Sequence, residues 1–153
     1  MKISVVTVCY NAAKTIGHCI ESVCSQDYPC IEHIIIDGVS TDETVAIVEG
    51  FQSKISQFIS EPDGGIYNAM NKGIALATGE VIGFLNSDDY LAHGAVISNI
   101  VHAMQAHDAE AVFGDLDYVD RHDIQKVVRC WKPGRYCEGA FRKGWAVSYT
   151  HLT

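Results

Sequence analysis

The segment VIGFLNSDDYL (81–91) ends an apolar run in Asn86, Ser87, Asp88 and Asp89. Two adjacent carboxylates in that position could cap a turn, bind a metal, or work as general acid and base. Other apolar runs end in a similar way. ISVVTVCY (3–10) leads through Thr7, Cys9 and Tyr10 into Asn11; IEHIIID (31–37) ends in Asp37-Gly38; KISQFIS (54–60) is followed by Glu61-Pro62-Asp63-Gly64-Gly65. Taken singly, each end is explained by turn or cap chemistry. In a parallel α/β sheet, however, ligands bind in the crevice outside the carboxyl ends of the strands. Four polar ends in one such sheet point to a site for a polar ligand. Hard oxygen donors such as those of Asp88 and Asp89 suit Mg2+ or Mn2+, which bind through one or two carboxylates plus substrate phosphates. A metal at this pair therefore expects a diphosphate. Gly38, Gly64 and Gly65 are turn residues first, and positions where backbone can approach a ligand second.

The elements that must position these residues alternate between strand and helix. The run at 3–10 is β-branched and continuous, as expected of a strand buried on both faces. AAKTIGHCIESVCSQ (12–26) places Ile16, Cys19, Ile20 and Val23 on one helical stripe, with Asn11 as the expected N-cap. After the second strand, STDETVAIVEGF (40–51) opens with a capping-box pattern, Ser40 with Glu43. The third strand, at 54–60, alternates as an edge strand does. GIYNAMNKGIALATG (65–79) aligns Ile66, Ala69, Met70, Gly73, Ile74 and Ala77, with Gly79 as the stop. EVIGFL (80–85) is the fourth strand, AHGAVISNIVHAMQAH (92–107) a further helix, and AEAVFGDLDYVD (109–120) begins another strand. Helices of this length between strands imply βαβ units and a Rossmann-like, mainly parallel sheet with helices on both faces. Beyond Asp120 the chain turns basic and aromatic, and 121–145 reads as a hairpin plus loop.

The chain of 153 residues fits one domain and, at 48% hydrophobic, has ample material for a core. Its net charge of −8 argues against general affinity for nucleic acid, which needs a basic footprint. None of the six cysteines forms a C-x-x-C pair or a zinc spacing, so reduced, structural thiols are expected. Cys19 and Cys24 fall in a helical pattern as small apolar packers. No stretch approaches the roughly 18 apolar residues of a membrane span, and the N-terminus lacks a signal-peptide pattern. A cytoplasmic location is the default expectation. There is no G-x-x-x-x-G-K-[ST] loop and no G-x-G-x-x-G after the first strand, which disfavours P-loop and dinucleotide binding of the usual kind.

Four segments, 3–16, 31–48, 60–91 and VFGDLDYVD (112–120), resemble in order the family 2 glycosyltransferases with their GT-A nucleotide-sugar-binding fold. The likeness spans residues 2–144. It implies transfer of a sugar, with inversion, from a UDP-, GDP- or TDP-sugar to a saccharide or lipid-linked acceptor, as in polysaccharide biosynthesis, with peripheral association at the inner face of a membrane. By resemblance, Thr7, Cys9, Tyr10 and Asn11 line the base and ribose, Asp37 binds base or ribose, Asp63 lies near the base, and Lys72 sits in the family's MNKG stretch. Asn86, Ser87 and Asp88 stand where the family has a D-x-D-type motif. Asn86 departs from it: its amide oxygen can accept a hydrogen bond from ribose but adds no charge. The metal then falls to Asp88, with Asp89 beside it. Asp115 matches a GD pair that lies near the donor sugar in relatives. The family's general base is a downstream carboxylate. None of Asp115, Asp117, Asp120 and Glu138 sits in a matching motif, and Asp115 is the candidate carried.

The end of the chain is read differently. VSYTHLT (147–153), which holds His151, matches the translation of a sequencing adapter and is expected to be a non-native tail on a transferase domain of residues 1–146. The expected whole is the N-terminal, donor-binding part of a longer enzyme. Two other readings compete: a nucleotide-binding module without catalysis, and a nucleotidyltransferase. Against the second, Asn11-Ala12-Ala13-Lys14 is not the Gly-rich, basic loop that such an enzyme needs after its first strand.

Overall fold

A computed structural model of the chain describes residues 1–120, 123–134 and 139. The expectations for Cys137, Glu138, His151 and the tail at 147–153 lie outside the described residues. Two compact units form, Met1–His102 and Ala103–Thr153.

The first unit is built on four parallel strands: β1 (Ile3–Cys9), β2 (Ile31–Asp37), β3 (Gln57–Ser60) and β4 (Val81–Phe84), in the order β3-β2-β1-β4. β1 is central. Ile3 to Cys9 pair with Ile31 to Asp37, and Ile3 to Val6 pair with Val81 to Phe84. Every residue of β1 is buried, which explains its unbroken apolar run: successive side chains point to opposite faces, and both faces are covered. Ile3, Val5 and Cys9 pack on one face with Ile16, Ile20 and Val23 of helix α1 (Ile16–Cys24), Val48 of α2 (Thr44–Gly50), and Ile97 and Val101 of α4 (Val96–His107). On the opposite face, α3 (Ile66–Leu76) lies against Val6. A Cβ on Gly73 would sit 2.3 Å from Val6 Cγ1, so glycine is what lets this helix reach the sheet. Side chains such as Ile16, Ile20 and Ile34 to Ile36 are wholly buried, each worth roughly 1.5–3 kcal/mol.

The end of the sheet remote from the strand termini is fastened by Glu32. It accepts from Lys2 Nζ (2.7 Å), Ser4 Oγ (2.6 Å), Thr78 N (2.8 Å) and Thr78 Oγ1 (2.7 Å). Burial alone would raise its pKa, but these donors outweigh it and hold the carboxyl at about 2.

In the second unit, β5 (Leu116–Val119) and β6 (Val127–Trp131) pair antiparallel, with an irregularity between Tyr118 and Val119. The hairpin expected beyond Asp120 is thus formed with the preceding strand as its first arm.

Several local expectations are corrected, and two of them share one cause: polar side chains expected to cap helices bond to the strand-end loops instead. Asn11 does not cap α1, which begins at Ile16. Asn11 adopts φ 52°, and its Oδ1 accepts from Thr41 N at 2.8 Å. Ser40 forms no capping box; its hydroxyl donates to Asp37, and α2 begins at Thr44 with Asp42 Oδ1 accepting from Thr44 N at 3.0 Å. Gly79 does not stop α3, whose last residue is Leu76. Gly79 is pressed on β1 instead, where a Cβ would meet Ser4 Oγ at 2.6 Å and Lys2 O at 2.8 Å. β1 ends one residue early, at Cys9, and β3 starts only at Gln57. Ile74 and Cys24 are exposed rather than core residues. Among the described residues the cysteines are free thiols, and no helix is long and apolar enough to cross a membrane.

Candidate functional site

Parallel strands bring four carboxyl ends to one edge of the sheet, and the backbone stitches them together. Gly38 N donates to Cys9 O (3.0 Å), Glu61 N to Asp37 O (3.0 Å) and Leu85 N to Val6 O (3.0 Å). Two clusters result, one on each side of β1.

The first lies at the ends of β1, β2 and β3. Asp37 sits at its centre with 0% exposure. Its carboxylate accepts from the Ser40 hydroxyl, from Ser40 N (3.0 Å), from Ser60 Oγ (2.6 Å) and from the Cys9 thiol (3.6 Å). Burial raises its pKa, but these donors, Ser40 and Ser60 foremost, bring it below the ordinary range. Both oxygens accept hydrogen bonds within the protein, so Asp37, expected to bind base or ribose, also fixes the loop after β2. Asp63, partly buried, lies beside this loop. Its Oδ2 lies 2.8 Å from where a Cβ on Gly38 would be, and Tyr10 Cδ2 lies 3.5 Å from the same point. Gly38, with no side chain, thus lets a carboxylate and an aromatic ring converge. Tyr10 is 64% exposed. Asp63 Oδ1 accepts from Gly65 N (2.8 Å), and Lys72 Nζ donates to Pro62 O (2.8 Å) while pairing with Glu61 Oε1 (2.8 Å). Lys72 thereby holds the 61–65 loop in place.

The second cluster is the turn after β4. Asp89 N donates to Asn86 O (3.0 Å), and Asn86 Nδ2 donates to Asp89 Oδ2 (3.0 Å). The turn places Ser87 and Asp88 at its corners, with Asp88 exposed. Asp89 keeps an exposed edge but is hemmed in by protein. Burial, then the Asp88 charge, raises its pKa against the lowering effect of the Asn86 amide. Asn86 Oδ1 is buried without a hydrogen-bond partner, a state that normally demands one.

Beneath this turn runs a buried polar chain. His33 Nε2 lies 3.0 Å from Thr7 Oγ1, Thr7 Oγ1 3.8 Å from Cys19 Sγ, and Cys19 Sγ donates to Asn86 O at 3.4 Å. Burial lowers the His33 pKa to about 4 and raises that of Cys19 to about 12, so both are neutral, and neither titrates near pH 7. Thr7 and Cys9 are therefore interior members of β1, at 0% and 6% exposure; of the Thr7–Asn11 group only Tyr10 and Asn11 reach solvent. Sequence reasoning missed His33, Ser40 and Ser60 as supports. The one signal was a lone histidine inside an otherwise apolar strand.

Asp115 lies in the second unit, where Lys132 Nζ is 3.6 Å from its Oδ2. Among the described residues no group of three or more His, Cys, Asp or Glu side chains forms a metal cage. The donors at 86–89 still fit Mg2+ or Mn2+: two neighbouring carboxylates and an unpartnered amide oxygen are all hard ligands, and such ions take one or two carboxylates and complete their shell with water or phosphate.

The four-stranded parallel sheet with its flanking helices has the Rossmann-like architecture of GT-A glycosyltransferases. S. aureus TarS (residues 1–349, in complex with UDP-GlcNAc) superposes with a TM-score of 0.66 at 30% identity, over 71% of this chain and 32% of TarS. A mannosyltransferase from Pyrobaculum calidifontis agrees in fold, with a TM-score of 0.64 at 24% identity over 81% of this chain and 37% of its own. Residues 4–151 match the family described as glycosyl transferase family 2, and the chain belongs to that family. An uncharacterized glycosyltransferase of Mycobacterium tuberculosis is 41% identical over 103 residues, 67% of this chain and 39% of the relative. Glycosyltransferase GlyG of Streptococcus pneumoniae is 34% identical over 124 residues, 79% of this chain and 41% of its own. The chain thus spans about two fifths of the length of these curated relatives.

Proposed function

We propose that the chain binds a nucleotide-diphosphate sugar across the carboxyl ends of its strands, and that it supplies the donor half of an inverting transfer to an acceptor hydroxyl. The observation that carries this reading is the turn at 86–89, where Asp88 is exposed, Asp89 abuts it and Asn86 Oδ1 lacks a partner. That is a donor set waiting for a cation. Family membership and the UDP-GlcNAc complex of TarS support a nucleotide sugar as the ligand.

Each group then has a task. Asp63 and Tyr10 meet the base, one as acceptor for a base N–H and the other as an apolar platform. Asp88 and Asp89 would hold Mg2+ or Mn2+, with the buried, unpartnered Asn86 Oδ1 in the same turn. A divalent ion there supplies charge that stabilises the departing diphosphate. Asp37, Ser40 and Ser60 fix the loop under the base, and Lys72 fixes the loop that carries Asp63. Asp115, the candidate carried for the acceptor's general base, is exposed and ion-paired with Lys132. A saccharide or lipid-linked acceptor and a place at the cytoplasmic face of a membrane belong to the same proposal.

Calorimetry with UDP, GDP and TDP, with and without Mn2+, tests it. One of the three is expected to bind, and more tightly with the ion. If none binds even with Mn2+, the assignment of the strand ends as a donor site is wrong.

A further inference from the structure

Val39 has a backbone that its side chain opposes. Its φ is +64°, the left-handed region, where a β-branched residue is a genuine outlier. Such strain opposes folding and persists only where the surrounding structure imposes it. At 44% exposure the side chain is only partly packed against the protein. The residues on either side impose the conformation. Gly38 N is held by Cys9 O at 3.0 Å, and the Ser40 hydroxyl and N–H are both held by Asp37. An apolar side chain that is both strained and exposed lowers the stability of the free protein. A bound partner is the place where that loss is offset.

The surroundings say what the partner is. Val39 follows directly on Gly38, the point where the Asp63 carboxylate and the Tyr10 ring converge, at 2.8 Å and 3.5 Å from the position of an absent Cβ. Two exposed residues with apolar surface, Tyr10 and Val39, therefore adjoin the Gly38 position that the partly buried Asp63 carboxylate approaches. A planar heterocycle that presents an N–H at its edge and an apolar face matches this arrangement. A phosphate or a sugar hydroxyl does not.

We infer that Val39 is a specificity-determining residue that packs against the nucleobase of the donor. The inference rests on the donor-site reading above and deepens it, because it assigns the strained loop to the base rather than to the diphosphate.

The test compares UDP and inorganic pyrophosphate, each with Mn2+, on the unaltered chain and on Val39→Gly and Val39→Asn. Glycine removes both the strain and the side chain; asparagine tolerates the left-handed conformation but is polar. Both variants are expected to melt no lower than the parent. UDP affinity is expected to fall about tenfold, the factor that burying one valine side chain contributes, while pyrophosphate affinity is unchanged. A purely structural role for Val39 would move melting temperature and leave the ratio of UDP to pyrophosphate affinity alone. If the parent prefers UDP over pyrophosphate and both variants keep that preference in full, the inference is overturned while the donor site stands. If the parent binds neither probe, the inference and the donor-site reading fall together.

Discussion

Asp88→Ala is expected to weaken the Mn2+-dependent binding of nucleotide diphosphate about a hundredfold, with little change in melting temperature. The size follows from a metal's role as the largest local charge at a diphosphate: losing one carboxylate ligand forfeits several kcal/mol of charge stabilisation, and each 1.4 kcal/mol is tenfold in affinity. The neutrality toward folding follows from the turn. Asn86 and Asp89 make the hydrogen bonds that shape it, while Asp88 stands exposed at its corner. Affinity measured without Mn2+ should change far less than affinity measured with it. An equal loss in both conditions would mean that Asp88 contacts the nucleotide directly and holds no ion.

Asp37→Ala is expected to do the reverse and act on stability first. Removing the carboxylate, itself fully buried, takes the partner from the half-buried Ser40 N–H and hydroxyl and from the hydroxyl of the exposed Ser60. With a buried unsatisfied donor costing about 1–3 kcal/mol and Ser60 open to water, a loss of about 2 kcal/mol is expected in thermal or denaturant unfolding. The two carboxylates that the fold has buried, Asp37 and Glu32, also set the response to acid. Both have folded pKa values below their unfolded ones, Glu32 at about 2. Their contribution is therefore fully present above the unfolded carboxylate range and is lost as pH falls through the folded values. Melting temperature should drop steeply between about pH 4.5 and pH 2, and Glu32→Gln should flatten that slope. An Asp37→Ala protein that melts like the parent but no longer binds nucleotide would return Asp37 to the role of a ligand contact.

The contrast between Asp37 and Asp63 marks how far the sequence could be read. Alternating apolar runs and helical stripes reveal four parallel strands and their polar ends, because burial on both faces of β1 demands an unbroken run such as Ile3–Cys9. The acid pair at 88–89 is legible in the same way, as the polar end of an apolar strand. What separates Asp37 from Asp63 is not written in either residue. It depends on Ser40, Ser60 and Cys9 closing around one carboxylate, and on Gly38 leaving space for the other. Apart from that of Ser40, these are contacts between segments more than twenty residues apart. The failed helix caps have the same origin. Asn11 and Ser40 carry good capping chemistry, but Thr41 and Asp37 on neighbouring strand ends compete for it and win. The strain at Val39 is likewise invisible to composition, because valine is an unremarkable residue until its φ is known.

The central claim is that a divalent ion and a nucleotide meet at the carboxyl ends of these strands. Paramagnetic mapping tests it most directly: Mn2+ is titrated into the isotope-labelled chain in the presence of UDP, and amide resonances are followed. The signals of Ser87, Asp88 and Asp89 should broaden first, followed by those of Tyr10, Gly38 and Val39, while Lys2, Glu32 and Thr78 at the opposite end of the sheet stay sharp. Broadening that begins at Glu32 or Asp115, or that spreads evenly over the acidic surface, would contradict it.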